Sequence, residues 1–308
     1  MSDEPVPDIL ILGARGQVGK ELCRALNDCG NTVELDSQSV HRCGDLRDQG
    51  GLSRTIQELR PSIIINAAAY TKVDLAESNQ AEAFATNFNG VKTLAHEAQK
   101  IGALLIHFST DYVFDGSLQR PYTEVDITNP LNVYGDSKLK GDLAVMNSGC
   151  EYLIFRTSWV YSPHGDNFLK KILHLGRSKS SLSVVCDQIG VPTSASLIAR
   201  VVTHCLQSSV LGDGFSGVYN LTPRGASNWH EYAVYALAEA RNLGWPIKTT
   251  EALVEPVSTE YYKGLARRPL YSCLNTHKLR TSFDIELPDW KHDVKSTVAR
   301  ILEDNRAR

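Results

Sequence analysis

The stretch Ile9-Leu10-Ile11-Leu12-Gly13-Ala14-Arg15-Gly16-Gln17-Val18-Gly19 decides the fold. Four consecutive apolar residues predict a strand buried on both faces, and the run stops at Gly13. From Gln17 to Cys29, Val18, Leu22, Ala25, Leu26 and Cys29 then fall at helical spacing. Between strand and helix, Gly13, Gly16 and Gly19 permit a tight turn and let the backbone approach a pyrophosphate. The free N–H groups and dipole of the helix N-terminus, around Gln17 and Val18, would hold that group. A glycine triplet alone is common in ordinary turns. Its place between a buried strand and a helix makes it a dinucleotide loop.

Thr32 to Leu35 reads as a second strand, and Asp36 ends it. An acid there can accept hydrogen bonds from the adenosine ribose hydroxyls, which favours NADH. Arg15 in the glycine loop could instead pair with a 2′-phosphate, which favours NADPH. The two signals conflict, and the choice of NADPH or NADH stays open. Asp45 and Leu46 follow a glycine and could flank the adenine.

Further along, the alternation continues. Leu52 to Leu59 reads as a short helix closed by Pro61, and Ile63-Ile64-Ile65 as a third strand. A long helix is expected from about Glu82 to Ile101, and a fourth strand over Leu104 to Phe108. Pro130 to about Met146 reads as helical, and Leu153-Ile154-Phe155 as a fifth strand. The fold class is therefore α/β, a Rossmann-type doubly wound parallel sheet with helices on both faces. After about residue 157, Gly, Pro and Ser become frequent, and one clear helix starts near Asn228, with Glu231 three residues on as in a capping box. Residues 8–157 are read as the dinucleotide-binding domain. Residues 158–303 are read mainly as a smaller C-terminal substrate-binding domain, interleaved with the last strands of the main sheet.

Bulk properties narrow the function. The formal net charge is -3 and charged residues make up 22%, with no basic run, so a nucleic-acid partner is not expected. Seven cysteines are dispersed without a C-x-x-C pair, which argues against a disulfide framework and a structural zinc. The histidines show no metal-ligand spacing. The opening residues lack the basic and apolar regions of a signal peptide, and no apolar run is long enough to span a membrane. A cytoplasmic location is expected.

Three segments fall at the ends of predicted strands, where ligands bind in such sheets. Asn66-Ala67-Ala68-Ala69 follows the third strand, and its small side chains would let a dinucleotide lie across it. Ser109-Thr110-Asp111 follows the fourth. Tyr134 and Lys138 open the next helix, where positions i and i+4 share one face. Reducing a ketone needs hydride at carbon and a proton at oxygen. A phenol of pKa about 10 is a poor general acid near neutrality. A neighbouring ammonium would lower that value and could also hold the nicotinamide ribose. Thr110 can donate a second hydrogen bond to the carbonyl oxygen.

The glycine loop, Asn66-Ala-Ala-Ala, Ser109-Thr-Asp-Tyr-Val-Phe114, Pro130-Leu-Asn-Val-Tyr-Gly135 and the Tyr134–Lys138 pair resemble the extended short-chain dehydrogenase/reductases. Arg156-Thr-Ser-Trp-Val-Tyr161 and Ala266-Arg-Arg-Pro269 resemble, more narrowly, the dTDP-4-dehydrorhamnose reductase family, over about residues 8 to 303. The resemblance implies an NAD(P)H-dependent oxidoreductase of dTDP-rhamnose biosynthesis. The implied reaction reduces the C4 ketone of dTDP-4-dehydro-6-deoxy-L-mannose to dTDP-L-rhamnose. Tyr134 is then the proton donor and Lys138 its partner, with Thr110 and Asp111 near the substrate. Trp159 would contact the sugar, and Arg267 or Arg268 the diphosphate.

Some members of the family form dimers bridged by a divalent metal. Glu21 could match one ligand, but the region of Ser196 and the segment Val298 to Ile301 offer no acid, so no metal is expected and any homodimer would not be metal-bridged. Two alternatives stand beside this reading. One is a reductase of another nucleotide 4-keto-6-deoxysugar. The other is a non-catalytic regulatory subunit like the beta subunit of methionine adenosyltransferase, against which the Trp159 and Arg267-Arg268-Pro269 motifs speak.

Overall fold

Strand β1 (Ile9–Leu12) pairs in parallel with β2 (Thr32–Leu35) on one side and β3 (Ile63–Asn66) on the other. Beyond β3 lie β4 (Leu104–Thr110), β5 (Tyr152–Thr157) and β6 (Gly217–Asn220), each pair again parallel. This computed structural model describes residues 8–208, 215–262 and 264–306. The strand order 2-1-3-4-5-6 reverses direction between β1 and β3. In an open parallel sheet that reversal leaves a crevice beyond the strand ends, where the helix connections diverge. The expected doubly wound sheet is borne out.

Alternation along β1 explains both covered faces. Ile9 and Ile11 pack on one side with Leu22 and Leu26 of helix α1 (Gln17–Leu26). Leu10 and Leu12 pack on the other with Leu52 and Ile56 of α2 (Gln49–Leu59) and Leu94 of α3 (Val91–Ile101). Helix α4 (Val133–Met146) lies beside α3, and it carries Tyr134 and Lys138. A second apolar cluster gathers α5 (Phe168–Ser178), α7 (Trp229–Asn242) and α8 (Trp290–Arg306), while α6 (Ala195–Gln207) packs on α1.

Several boundaries differ from the sequence reading. Helix α2 starts at Gln49 rather than Leu52, because Asp48 caps it by accepting from the Gly51 N–H at 2.9 Å. Helix α4 starts at Val133, not Pro130. Asn132 stands in extended geometry and accepts from the Gly135 N–H at 2.8 Å, leaving Pro130 and Leu131 outside. The long helix begins at Gln80 and carries a π-helical stretch, Ala85–Gly90, ahead of α3. In that stretch the buried Asn87 accepts from the Tyr70 N–H and donates to the Tyr70 carbonyl and Ser137 Oγ. The later half holds more helices than the one expected at Asn228, although that one is capped as predicted, with Asn228 accepting from the Glu231 N–H at 2.9 Å.

All seven cysteines are free, with Cys150, Cys205 and Cys273 buried and the other four half-buried. No helix among the described residues is long and apolar enough to cross a membrane.

Gly141 marks where α4 meets the π-helical stretch, since a Cβ built there would lie 2.2 Å from the Asn87 carbonyl oxygen. Gly141→Ala must push α4 away from Asn87. Urea unfolding should show a loss of about 1–3 kcal/mol, the usual cost of overpacking; unchanged stability would mean that this approach is not close.

Candidate active site

The glycine loop sits at the reversal point. Gly13 adopts φ +80°, open to glycine at little cost, and a Cβ there would lie 2.6 Å from the Ala68 nitrogen. A Cβ on Gly19 would lie 2.1 Å from the Gly13 carbonyl oxygen, so the first turn of α1 can close on the loop only with glycine present. Gly13 and Gly16 face Ala67, Ala68 and Ala69 across a cavity of about 450 Å³, whose far end is lined by Asp36, Asp45 and Leu46. Gln17 and Val18, expected at the cofactor, do not line this cavity. The Gln17 side chain accepts from Asn167 Nδ2 at 2.8 Å, and Val18 packs into the core.

Arg15 and Asp36, read as opposing signals, are joined. Arg15 Nε lies 2.6 Å from Asp36 Oδ2, and Arg15 also donates to Gln38 Oε1. Asp36 further accepts from the Gln38 N–H at 2.7 Å, which fixes its carboxylate at the cavity rim. Asp45 is held by Arg47, whose guanidinium keeps the carboxyl below its ordinary range.

At the end of β4, Thr110 accepts from the Tyr112 N–H at 3.2 Å and donates to Asp111 Oδ1 at 3.1 Å, and its hydroxyl lies close enough to Tyr134 to act on the phenol. Tyr112 stands edge-on to the Tyr134 ring, with centroids 6.0 Å apart. Burial pushes the Tyr134 phenol up to about 12, opposed by the Thr110 hydroxyl and reinforced by the Asp111 and Asp142 carboxylates. The net shift of this phenol is thus upward, opposite to the lowering expected from Lys138, because burial dominates. The Lys138 ammonium is committed elsewhere, donating to the Phe108 carbonyl at 2.6 Å. Burial brings Lys138 down to about 8. Asp111 is buried as well, and desolvation raises it to about 7 against hydrogen bonds from Ser272 and Thr110.

The remaining residues fall into two groups. Arg268 Nη2 pairs with Asp74 Oδ2 at 2.6 Å and lies close enough to Tyr112 to act on its phenol, so it belongs to the Tyr112–Tyr134 neighbourhood. Arg267 is exposed, and its carbonyl accepts from Asn132 Nδ2 at 2.7 Å. Trp159 stands in the left-handed region at φ +46°, an uncommon conformation for a bulky residue. Its indole stacks on Trp229 at 3.7 Å between centroids, and a Cβ on Gly190 would lie 2.6 Å from the ring. Nothing in the local sequence marks Trp229, Gly190, Asp74 or Tyr112 as neighbours of the site.

Glu21 does not offer a metal-ligand set. Arg300 Nη2 pairs with it at 2.9 Å, with Arg24 and His164 adjacent at 3.6 and 3.8 Å. This cationic surround does not suit a divalent ion. Among the described residues, no group of three or more His, Cys, Asp or Glu side chains is arranged to hold one.

Residues 7–303 match the family model described as RmlD substrate binding domain. The dTDP-4-dehydrorhamnose reductase of Salmonella typhimurium is 43% identical, covering 96% of this chain and 98% of that protein. The Escherichia coli K12 enzyme of the same name is 42% identical, covering 94% and 96%. The chain belongs to the dTDP-4-dehydrorhamnose reductase family. A solved member from Bacillus anthracis, crystallised in complex with NADP, superposes with a TM-score of 0.86 at 33% identity, covering 95% of this chain and 98% of that one. The expectation of an oxidoreductase of this family is met.

Asp36→Ala removes the acid at the adenosine end of the cavity and frees Arg15. Binding titrations should show NADH weakened more than NADPH, by about tenfold for one lost charge-assisted contact. Equal losses for the two would count against a ribose contact.

Proposed function

We propose that this protein reduces the C4 ketone of dTDP-4-dehydro-6-deoxy-L-mannose to dTDP-L-rhamnose, with NADPH or NADH in the glycine-loop cavity. The observation that carries the reading is the placement of Thr110, at the carboxyl end of β4, beside Tyr134 in the first turn of α4. It brings two hydroxyl groups together where a substrate carbonyl could meet both. Bound NAD(P)H supplies the hydride to C4. Tyr134 gives its proton to the developing alkoxide, and Thr110 donates a second hydrogen bond to the same oxygen. A phenol raised to about 12 keeps its proton throughout the neutral range, and the alkoxide developing at C4 is a stronger base that can still take it. Lys138, as a buried ammonium, offsets the negative charge left on the phenolate once the proton has moved.

Asp111 lies next to Thr110 and is assigned to the sugar. Arg268 approaches Tyr134 through Tyr112 and is assigned to the diphosphate ahead of the exposed Arg267. The stacked Trp159 offers an aromatic face for the sugar ring. The α5, α7 and α8 cluster forms the bulk of the substrate-binding part, and the sheet the cofactor-binding part. The match in name and near-complete coverage with the Salmonella and Escherichia coli reductases supports this substrate over another nucleotide 4-keto-6-deoxysugar.

Tyr134→Phe should lower kcat by about 10²- to 10⁴-fold, the range for loss of a general acid, while cofactor affinity stays within about twofold. A wild-type rate would exclude Tyr134 as the donor. For the wild-type enzyme, kcat should hold through neutrality and fall as pH rises through about 8, where Lys138 loses its charge. A flat profile to pH 10 would contradict the role given to that ammonium.

A further inference from the structure

Beneath Lys138 lies a set of buried polar side chains that the reaction as described does not use. His107 and Asp142 are fully buried, and Asn66, Ser109 and Arg156 are at most 4% exposed. The sheet register brings them together. Asn66 of β3 is the partner of His107 on β4, and Ser109 of β4 is the partner of Arg156 on β5. Asp142 stands four residues after Lys138, on the same face of α4.

The hydrogen bonds determine what each group can do. The Ala68 N–H donates to Asn66 Oδ1 at 3.2 Å, so the Asn66 amide nitrogen is what faces His107 Nδ1, at 3.1 Å. Nδ1 is therefore an acceptor, and neutral His107 carries its proton on Nε2. Burial and the Lys138 charge both hold His107 far below its ordinary range, so it stays neutral. Nε2 lies 3.4 Å from Lys138 Nζ and 3.8 Å from Asp142 Oδ1. A donor at Nε2 cannot accept from the ammonium. The imidazole thus separates Lys138 from Asp142 without compensating its charge.

Asp142 is the remaining anion in this surround. Its Oδ2 accepts from Ser109 Oγ at 2.6 Å and lies 3.7 Å from Arg156 Nε, while Oδ1 accepts no hydrogen bond among the described residues. We infer that Asp142 is the charge partner that keeps Lys138 protonated in the closed site, with His107, oriented by Asn66, as the neutral spacer between them. Asp142 touches neither reacting atoms nor cofactor cavity, so it is a positioning residue. The inference rests on the reading of Lys138 as the partner of Tyr134.

Charge effects support the assignment. Asp142 raises Lys138 against the desolvation that lowers it. Lys138, Arg156 and the Ser109 hydroxyl in turn oppose the rise that burial imposes on Asp142. The charged or titratable groups around the pair are His107 on β4, Arg156 on β5, Tyr134 on α4 itself, and Asp111 beyond Tyr134. Asp142→Asn removes one of two anions raising Tyr134 and the one raising Lys138, so both groups should titrate lower.

The test is the pH profile of kcat for Asp142→Asn, Asp142→Glu, Lys138→Met and Lys138→Met/Asp142→Asn. In Asp142→Asn the upper limb should move down by at least about one pH unit, with a loss of about fivefold or more at pH 8 and little loss at pH 6. Asp142→Glu should restore the wild-type limb, and the double variant should lose nothing beyond Lys138→Met. A uniform loss across pH, or an additive loss in the double variant, would overturn the inference.

If Asp142→Asn does not fold, ¹³Cε NMR titration of Lys138 in the wild-type protein still decides. A midpoint near 8 agrees with a charge partner, and one well below 7 overturns it. Wild-type rates in Tyr134→Phe or Lys138→Met would refute the catalytic reading instead, and the NMR midpoint would then judge Asp142 alone.

Discussion

A lysine ammonium held almost out of water at the carboxyl edge of the sheet is the constraint around which the site is arranged. Taking such an ion from water costs on the order of several kcal/mol unless nearby groups compensate. Lys138 is 2% exposed, and it keeps one close acceptor, the Phe108 carbonyl. Asp142, one turn on in the same helix, is the acid set nearby, and the neighbouring strands support it with Ser109 and Arg156. One helical turn before Lys138, the same helix presents Tyr134 to Thr110. A buried cation and a phenol on one helix face are of use together because the phenol must carry negative charge after giving up its proton.

The sheet places this helix next to a cofactor cavity for reasons set far from it in sequence. Reversal of strand order between β1 and β3 opens the crevice, and Gly13 and Gly19 let α1 and Ala68 approach closely around it. Thr110 and Ser109 end the next strand over, so the glycine loop and Tyr134 face the same edge. Asn87, Ser137 and Gly141 then fix α4 against the π-helical stretch, which sets how far Tyr134 reaches. Rigidity of the helix and chemistry at its first turn are thus linked by a few buried contacts.

Much of this was legible in the chain because it depends on local pattern. Ile9 to Leu12 and Ile63 to Ile65 declare buried strands, and the glycines between strand and helix declare the nucleotide loop. Contacts between distant segments were not. The helices Phe168–Ser178 and Ala195–Gln207 lie in a stretch rich in Gly, Pro and Ser, where their apolar faces were obscured. Arg15 and Asp36 are 21 positions apart (36 − 15) and read as competitors, whereas in space they form one pair. The left-handed turn at Trp159 depends on Trp229 and Gly190, which no local rule connects to it. Asp142, by contrast, was within reach, since an acid four residues after Lys138 shares its helix face.

In the proposed reaction, hydride passes from the nicotinamide to C4 of a dTDP-linked 4-keto sugar while Tyr134 protonates the oxygen. The direct measurement is NMR of the product formed from that sugar and cofactor deuterated at the transferable C4 position of the nicotinamide ring. A single deuterium on sugar C4 and an L-rhamnose configuration are the expected result. Deuterium on another carbon, or cofactor oxidation with no deuterium in the sugar, would contradict the proposed reaction.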